Sequence, residues 1–170
     1  MAQINYRQRK AEVLAGLSAK SEASPQRVGH VLKALLQLTD TTLIDLWHDS
    51  GLGTSMVLAA VGGFGRGELF PYSDIDVLVL LPAGSVDELD GATREKLEGF
   101  ITSCWDHGLE IGSSVRTLTE CLQESQADIT VLVMLRARRY MNPPVRKIVI
   151  FEDMLTAHLG IRNYLGFNTC

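Results

Sequence analysis

The chain has 170 residues, of which 46% are hydrophobic and 21% are charged, so it can form about one domain with a proper core, which excludes bulk disorder and a multidomain machine. Its 16 Lys and Arg residues against 20 Asp and Glu residues give a formal charge of −4. No basic cluster approaches the size that duplex DNA needs, which argues against long nucleic acid as a partner.

The three cysteines, Cys104, Cys121 and Cys170, are odd in number and far apart, and they lack a Cys-x-x-Cys spacing. This pattern predicts neither a disulfide framework nor a zinc site, and it favours a reducing cytoplasm. The first 13 residues contain no apolar stretch of the signal-peptide type, and apolar runs such as 77–81 are far too short to span a membrane. We therefore expect a soluble cytoplasmic protein without a membrane partner.

The first 51 residues are predicted to form a helical segment. A modest surface helix is expected over Tyr6–Leu17. Its apolar side should carry Ala11, Leu14 and Ala15. A stronger helix start follows at Ser24, which can cap free amides, and Pro25, which fits the first turn, and the helix should stop at Asp49–Gly51. Its apolar stripe comprises Val28, Val31, Leu32, Leu35, Leu36, Leu43, Leu46 and Trp47.

Two short apolar runs, Met56–Val61 and Ile75–Leu81, predict central strands. Residues 62–74 between them are too rich in glycine for a long helix and predict a tight turn with a short helical segment. A helix over Asp87–His107 and a third strand over Leu109–Arg116 should follow. The apolar side of that helix is expected to carry Leu89, Leu97, Phe100, Ile101, Cys104 and Trp105.

The third strand is followed by two predicted helices, so the element order indicates an α+β fold. Residues Thr117–Glu120 match a capping box, and Asp128 is expected to cap a helix. That last helix should include Ile129, Leu132, Val133 and Tyr140. Asn142–Pro144 break it. We predict three parts: the helical segment 1–51, a core 52–140 and a divergent tail 141–170.

Two carboxylates begin the second predicted strand. Asp74 and Asp76 are two residues apart, so their side chains project from the same face, about 6 to 7 Å apart at the backbone. They would repel by roughly 2 to 3 kcal/mol at an effective dielectric of 20, whereas Mg²⁺ turns that repulsion into attraction. Such a pair suits metal-assisted in-line phosphoryl-type transfer. A solvated strand end at a turn is the alternative interpretation.

Gly62 and Gly63 directly follow the first predicted strand, where absent side chains let a phosphate approach the backbone amides of the next turn. Arg66 adds a forked cation for a phosphate oxygen. The spacing of Gly63, Gly65 and Gly67 does not match G-x-G-x-x-G, and no Lys-Ser/Thr pair follows. Alone, the glycines are equally consistent with a tight turn; combined with Asp-x-Asp on the next strand, they indicate a phosphate cradle beside a metal pair.

The block Ala60–Leu81, AVGGFGRGELFPYSDIDVLVLL, resembles the signature of the polymerase-beta-type nucleotidyltransferase superfamily. More narrowly, it resembles the N-terminal catalytic domain of the PII-protein uridylyltransferase family, which are bifunctional uridylyltransferase and uridylyl-removing enzymes of bacterial nitrogen regulation. The resemblance continues through Leu109–Leu122 and Ala127–Arg139 and includes Tyr6–Val13. It implies a small mixed β-sheet flanked by helices and preceded by the helical segment.

The resemblance also implies an activity and residues that carry it. The expected reaction is Mg²⁺-dependent transfer of UMP from UTP to a tyrosine of the PII nitrogen-regulatory protein, with release of pyrophosphate. Gly62 and Gly63 would bind nucleotide phosphates, and Asp74 and Asp76 would ligate Mg²⁺. Ser73 would help to hold a phosphate or to orient the turn.

Further residues are candidates with alternatives left open. Superfamily members usually have a third acid on the following strand, and Glu110 is the best-placed one, either assisting deprotonation or lying exposed at a strand edge. Asp128 is the fallback, although helix capping explains it better. Arg116 suits either an ion pair or a triphosphate contact. His48–Asp49 spells the dipeptide of HD phosphohydrolases, but no other histidine completes such a site, so a helix C-terminal role is expected.

Residues from Arg139 onward depart from the family pattern, and a chain of this length cannot hold the family's HD and ACT domains. We therefore expect an isolated or truncated domain that lacks uridylyl removal and glutamine control. Three alternatives stay open: a nucleotidyltransferase with another acceptor, a non-catalytic remnant that binds nucleotide or a partner, and a glycosyltransferase that uses Asp-x-Asp for a metal and a nucleotide sugar.

Overall fold

The computed structural model describes residues 6–18, 24–53, 56–81, 86–136, 138–141, 153 and 155–157. These residues form a four-stranded mixed sheet with helices on both faces, which confirms the predicted α+β class. The elements are α1 Tyr6–Ser18, α2 Pro25–Asp49, β1 Val57–Ala60, α3 Gly62–Gly65, β2 Ile75–Leu81, a 3₁₀ turn Val86–Glu88, α4 Gly91–Asp106, β3 Ile111–Thr117, α5 Leu118–Ala127, α6 Ile129–Arg136 and β4 Arg139–Tyr140.

The strands lie in the order β3-β2-β1-β4. β1 pairs antiparallel with both β2 and β4, whereas β2 and β3 are parallel. The parallel pair requires a crossover, which α4 supplies, because parallel strands cannot be joined by a tight turn. In β2 every residue except Asp76 is buried, as expected for an apolar central strand covered on both faces.

The two faces of the sheet have different covers. One packs against α2 and α4, where Trp47 and Phe100 meet edge to face with ring centroids 5.1 Å apart. The other packs against α5 and α6, and its core includes Leu78 and Leu80. Because side chains alternate along a strand, Asp76 lies on the same face as Leu78 and Leu80. The predicted carboxylates therefore belong to the α5–α6 side, where β2 begins.

The second helix has the predicted bounds. Ser24 caps α2, its Oγ accepting a hydrogen bond from the amide of Arg27 at 3.3 Å, and Pro25 opens the first turn. The buried residues of α2 are Leu35, Leu38, Thr39, Leu43, Leu46 and Trp47. Since these side chains share one core with the sheet, the predicted helical segment packs as part of the same body.

The first helix lies where it was predicted, but of the residues expected on its apolar side only Leu14 is partly buried. Ala11 and Ala15 are exposed. The helix instead packs through Val13 and through Tyr6, whose hydroxyl hydrogen-bonds Thr39 Oγ1 at 2.9 Å. Tyr6 is the first residue of α1, and the spacing of apolar residues along the helix did not predict that its ring would contact α2.

The fourth helix begins later than predicted. The expected span was Asp87–His107, but α4 starts at Gly91 because Asp90 is its cap. The Asp90 carboxylate accepts hydrogen bonds from the amide of Thr93 at 2.9 Å and from its hydroxyl at 2.7 Å. Trp105, placed by its spacing on the apolar side, is 61% exposed, so that assignment was wrong.

Both predicted caps after β3 are confirmed. Thr117 Oγ1 accepts from the amide of Glu120 at 3.2 Å, and Glu120 Oε2 accepts from the amide of Thr117 at 2.7 Å, which completes a capping box. Asp128 Oδ1 accepts from the amide of Thr130 at 2.8 Å in the first turn of α6. Asp128 is therefore occupied as a cap.

The sixth helix is shorter than predicted. It includes Ile129, Leu132 and Val133 as expected but ends at Arg136, and Tyr140 lies in β4, because the free edge of β1 pairs with this segment. Ile129 and Val133 are 67% and 53% exposed. The buried side of α6 carries Val131 and Leu135.

Only a few residues of the predicted tail 141–170 belong to the described part. Met141 is buried against the α2–α4 side and its amide donates to Leu58 O at 2.9 Å. Leu155 is fully buried on the α5–α6 side. The predicted break at Asn142–Pro144, together with His158 and Cys170, lies outside the described residues. Among the described helices, none combines the length and apolar character needed to span a lipid bilayer.

We expect the Asp40–Arg139 ion pair to stabilise the fold. Arg139 of β4 donates to both carboxylate oxygens of Asp40 on α2, at 2.7 and 2.9 Å, and both side chains are less than a quarter exposed. Asp40→Ala should lower the unfolding free energy by about 2 kcal/mol, because it leaves a mostly buried guanidinium without its acceptor. Urea unfolding measures this loss, and Asp45→Ala, an exposed position on the same helix, is the control. Equal effects of both variants would contradict the prediction.

We also expect Cys104 and Cys121 to be unreactive in the folded protein. Burial raises the pKa of each thiol to about 12, so about one molecule in ten thousand is a thiolate at pH 8. Treatment with N-ethylmaleimide followed by peptide mapping should find both cysteines unmodified until denaturant is added. Rapid native labelling of either one would disprove this.

Candidate active site

The bend after β1 lies directly beside the start of β2. Val61 is extended and its amide donates to Asp76 O at 3.0 Å, which continues the β1–β2 ladder. Gly62 then takes φ +60°, a conformation that glycine adopts without steric cost, and α3 begins. The predicted tight turn with a short helical segment is thus confirmed. The first amides of a helix have no acceptor within it, so those of Gly62 and Gly63 are available to an anion.

The Asp76 carboxylate lies between two glycine backbones. A Cβ atom at position 62 would stand 3.1 Å from Asp76 Oδ2, and one at position 112 would stand 2.8 Å from Asp76 Oδ1. Gly112 is directly opposite Asp76 in the β2–β3 register. We call these two positions, Gly62 and Gly112, the glycine seat. The bend and the carboxylate therefore converge, as the combined motif predicted.

The electrostatics of the pair suit a cation. Burial raises the pKa of Asp76, and the charge of the nearby Asp74 raises it further. None of the described residues donates a hydrogen bond to either carboxylate. Hard oxygen ligands left without protein donors fit Mg²⁺, which is commonly held by one or two carboxylates together with substrate phosphates. The donor set therefore fits the metal that the sequence predicted.

Arg66 and Ser73 flank the bend and the pair. Arg66 Nε donates to Glu68 Oε2 at 2.8 Å in an exposed ion pair, and its Nη2 lies 3.8 Å from where a Cβ of Gly63 would be. Its guanidinium is thus beside the bend. Ser73 Oγ accepts from the amide of Phe70 at 3.2 Å, and its own amide donates to Phe70 O at 3.0 Å. Of the two roles predicted for Ser73, this contact supports orientation of the turn.

The third acid is not assembled with the pair. Glu110 is exposed and immediately precedes β3, whose register aligns Ile111 with Ile75. No group of three or more metal-ligating side chains occurs in the part of the chain that the structure describes. The role of Glu110 therefore stays a prediction.

Two other sequence candidates have structural partners. Arg116 forms an ion pair with Glu124, one of the two alternatives that the sequence left open. His48 and Asp49 are exposed in the last turn of α2, where His48 O accepts from the amide of Gly51 at 3.1 Å. This is the helix C-terminal position expected for that dipeptide.

Sequence reasoning missed two residues near the bend. Gly112 was not predicted as part of the site, because nothing in its local sequence indicates the register with Asp76. Arg139 contacts α3, with its guanidinium 5.2 Å from the Phe64 ring centroid and Nη2 donating to Phe64 O at 3.4 Å. Because Arg139 and Phe64 are far apart in the sequence, residue spacing could not predict this contact.

The sequence of the chain is similar to known proteins. Residues 52–126 match the family described as "Nucleotidyltransferase domain". Proteins from Burkholderia thailandensis, Burkholderia mallei and Burkholderia pseudomallei, each named "Bifunctional uridylyltransferase/uridylyl-removing enzyme", are 47% identical over 135 residues. That alignment covers 79% of this chain and 15% of each relative, so the chain spans a small part of the relatives' length.

The contact between Gly62 and Asp76 can be separated from backbone strain. Gly62 and Gly53 both have φ +60°, but a Cβ at position 53 would meet nothing within 4 Å. Both Gly→Ala variants should lose about 1 to 2 kcal/mol of unfolding free energy to the left-handed conformation. Only Gly62→Ala should also displace the Asp76 carboxylate and weaken Mg²⁺-dependent nucleotide binding. Calorimetric titration with a non-hydrolysable UTP analogue measures this, and equal binding by both variants would contradict it.

Proposed function

Since the chain contains a nucleotidyltransferase domain of the kind found in bifunctional uridylyltransferase/uridylyl-removing enzymes, we propose that it transfers UMP from UTP to a tyrosine hydroxyl of the PII signal protein. The observation that carries this proposal is the Asp76 carboxylate lying against the Gly62 bend. The bend supplies phosphate-binding amides, and the carboxylate pair supplies negative charge for a cation, so a triphosphate–magnesium complex satisfies both.

The choice of UTP and of PII has separate support. The relatives are named for uridylyl transfer and removal, which favours UTP as the donor. The tyrosine of PII as acceptor follows from the family resemblance of Ala60–Leu81. The acceptor oxygen attacks the α-phosphorus, an oxygen–phosphorus bond forms, the bond to the β-phosphate breaks, and pyrophosphate leaves.

Each residue of the site would have its own role in the reaction. Asp74 and Asp76 would hold Mg²⁺, which neutralises charge on the phosphates when bound. The amides of Gly62 and Gly63 would orient the phosphates, and Arg66 would add a cation beside them. Glu110, which immediately precedes β3, would accept the proton of the tyrosine hydroxyl.

Asp76→Asn should reduce UMP transfer at least about 100-fold, because the amide removes the charge that a cation needs while keeping the shape. The assay mixes the full chain with PII, Mg²⁺ and labelled UTP and follows both labelled PII and pyrophosphate. Asp87→Asn, an exposed aspartate beyond the opposite end of β2, is the matched control and should retain full transfer.

Each failure has a distinct meaning. Transfer that survives Asp76→Asn would disprove the assigned site. Pyrophosphate release without labelled PII would identify a different acceptor. Mg²⁺-dependent UTP binding without any pyrophosphate release would favour a non-catalytic nucleotide-binding domain. Parallel reactions with ATP, CTP and GTP test the base, and faster transfer from any of them would overturn the choice of UTP.

A further inference from the structure

We propose that Gly112 is a positioning residue for Asp76, and that the absence of a side chain at position 112 keeps the carboxylate turned toward the nucleotide. The inference rests on the proposed function for its consequence, since it concerns how Asp76 meets Mg²⁺. Its structural part, a steric coupling between positions 76 and 112, can be tested without any ligand.

The register puts the two residues side by side. Asp76 of β2 and Gly112 of β3 are direct partners in a parallel pair. A Cβ at position 112 would stand 2.8 Å from Asp76 Oδ1, closer than the 3.0 Å that real Cβ atoms essentially never breach. The carboxylate oxygen therefore occupies the volume that any other residue at position 112 would fill.

The other half of the glycine seat also leaves room for the carboxylate, because a Cβ at position 62 would stand 3.1 Å from Asp76 Oδ2. The carboxylate therefore fits between positions 62 and 112 because neither of them carries a side chain. No described residue donates a hydrogen bond to this carboxylate. The space left by the two glycines, and not a hydrogen-bond donor, therefore sets the direction of the carboxylate. A methyl group at position 112 would rotate the carboxylate out of the site.

The contact with Asp76 gives a reason for glycine at a position where the backbone does not demand it. Gly112 is not among the described glycines with positive φ. Any residue could therefore adopt its backbone conformation, and strands generally favour larger side chains. The steric conflict with Asp76 is the remaining reason for glycine in this strand.

The first experiment measures cation binding. Mn²⁺ serves as the paramagnetic probe, titrated with a non-hydrolysable UTP analogue into the full chain. Gly112→Ala should weaken Mn²⁺ binding by about 10- to 100-fold, the usual effect of disturbing a group that orients a metal ligand. Gly99→Ala is the matched control, because a Cβ there meets nothing within 4 Å, and it should bind as the wild type does.

The second experiment is a double-mutant cycle in thermal unfolding without metal. Gly112→Ala should lower the Tm when Asp76 is present and should have little effect in an Asp76→Ala background, where the carboxylate is gone. If Gly112→Ala does not fold alone, the double variant should fold.

The outcomes separate the two proposals. Absence of Mn²⁺ binding by the wild type would disprove the proposed function, while the unfolding cycle would still decide the coupling. An equal Tm loss with and without Asp76, or a double variant that also fails to fold, would overturn the positioning role. Wild-type Mn²⁺ affinity in Gly112→Ala would overturn it as well.

Discussion

A carboxylate packed against bare backbone on two sides is the constraint on which the site depends. Asp76 Oδ2 lies against Gly62 and Oδ1 lies against Gly112. The Asp76 side chain of β2 is therefore flanked by the end of β1 on one side and by β3 on the other. The β1–β2 ladder, continued by the Val61 amide, fixes one distance, and the parallel β2–β3 register fixes the other. A shift of β3 by one residue would put Ile111 or Ser113 in place of Gly112, and thus a side chain into the seat.

The helical segment at the start of the chain also supports this arrangement, through contacts with β4 and α3. Asp40 of α2 holds both terminal nitrogens of Arg139, and Arg139 contacts the ring and carbonyl of Phe64 in α3. Burial raises the pKa of Asp40 while the hydrogen bonds from Arg139 lower it, so the pair is held in a mostly desolvated place. The bend at Gly62 is therefore anchored to α2 and β4 as well as to its own strands.

The errors of sequence reasoning share one cause. Spacing put Trp105 on the buried side of α4 and Ala11 and Ala15 on that of α1, yet all three are exposed, because neighbouring elements decide which side of a helix is covered. The expected helix through Tyr140 stops early because β1 offers an unpaired edge to β4. Local signals with their own hydrogen bonds, such as the Ser24 cap and the Thr117–Glu120 capping box, were predicted correctly.

From the sequence alone came the α+β class, the two central strands, the glycine bend and the prediction that this bend meets Asp-x-Asp. These features follow from short-range rules: apolar runs, strand alternation and the conformational freedom of glycine. Only the tertiary structure decided that Gly112 completes the seat, that Glu110 is not assembled into a metal-ligating group with the pair, and that Arg139 reaches α3. These depend on strand register and on packing between residues far apart in the chain, which no spacing pattern encodes.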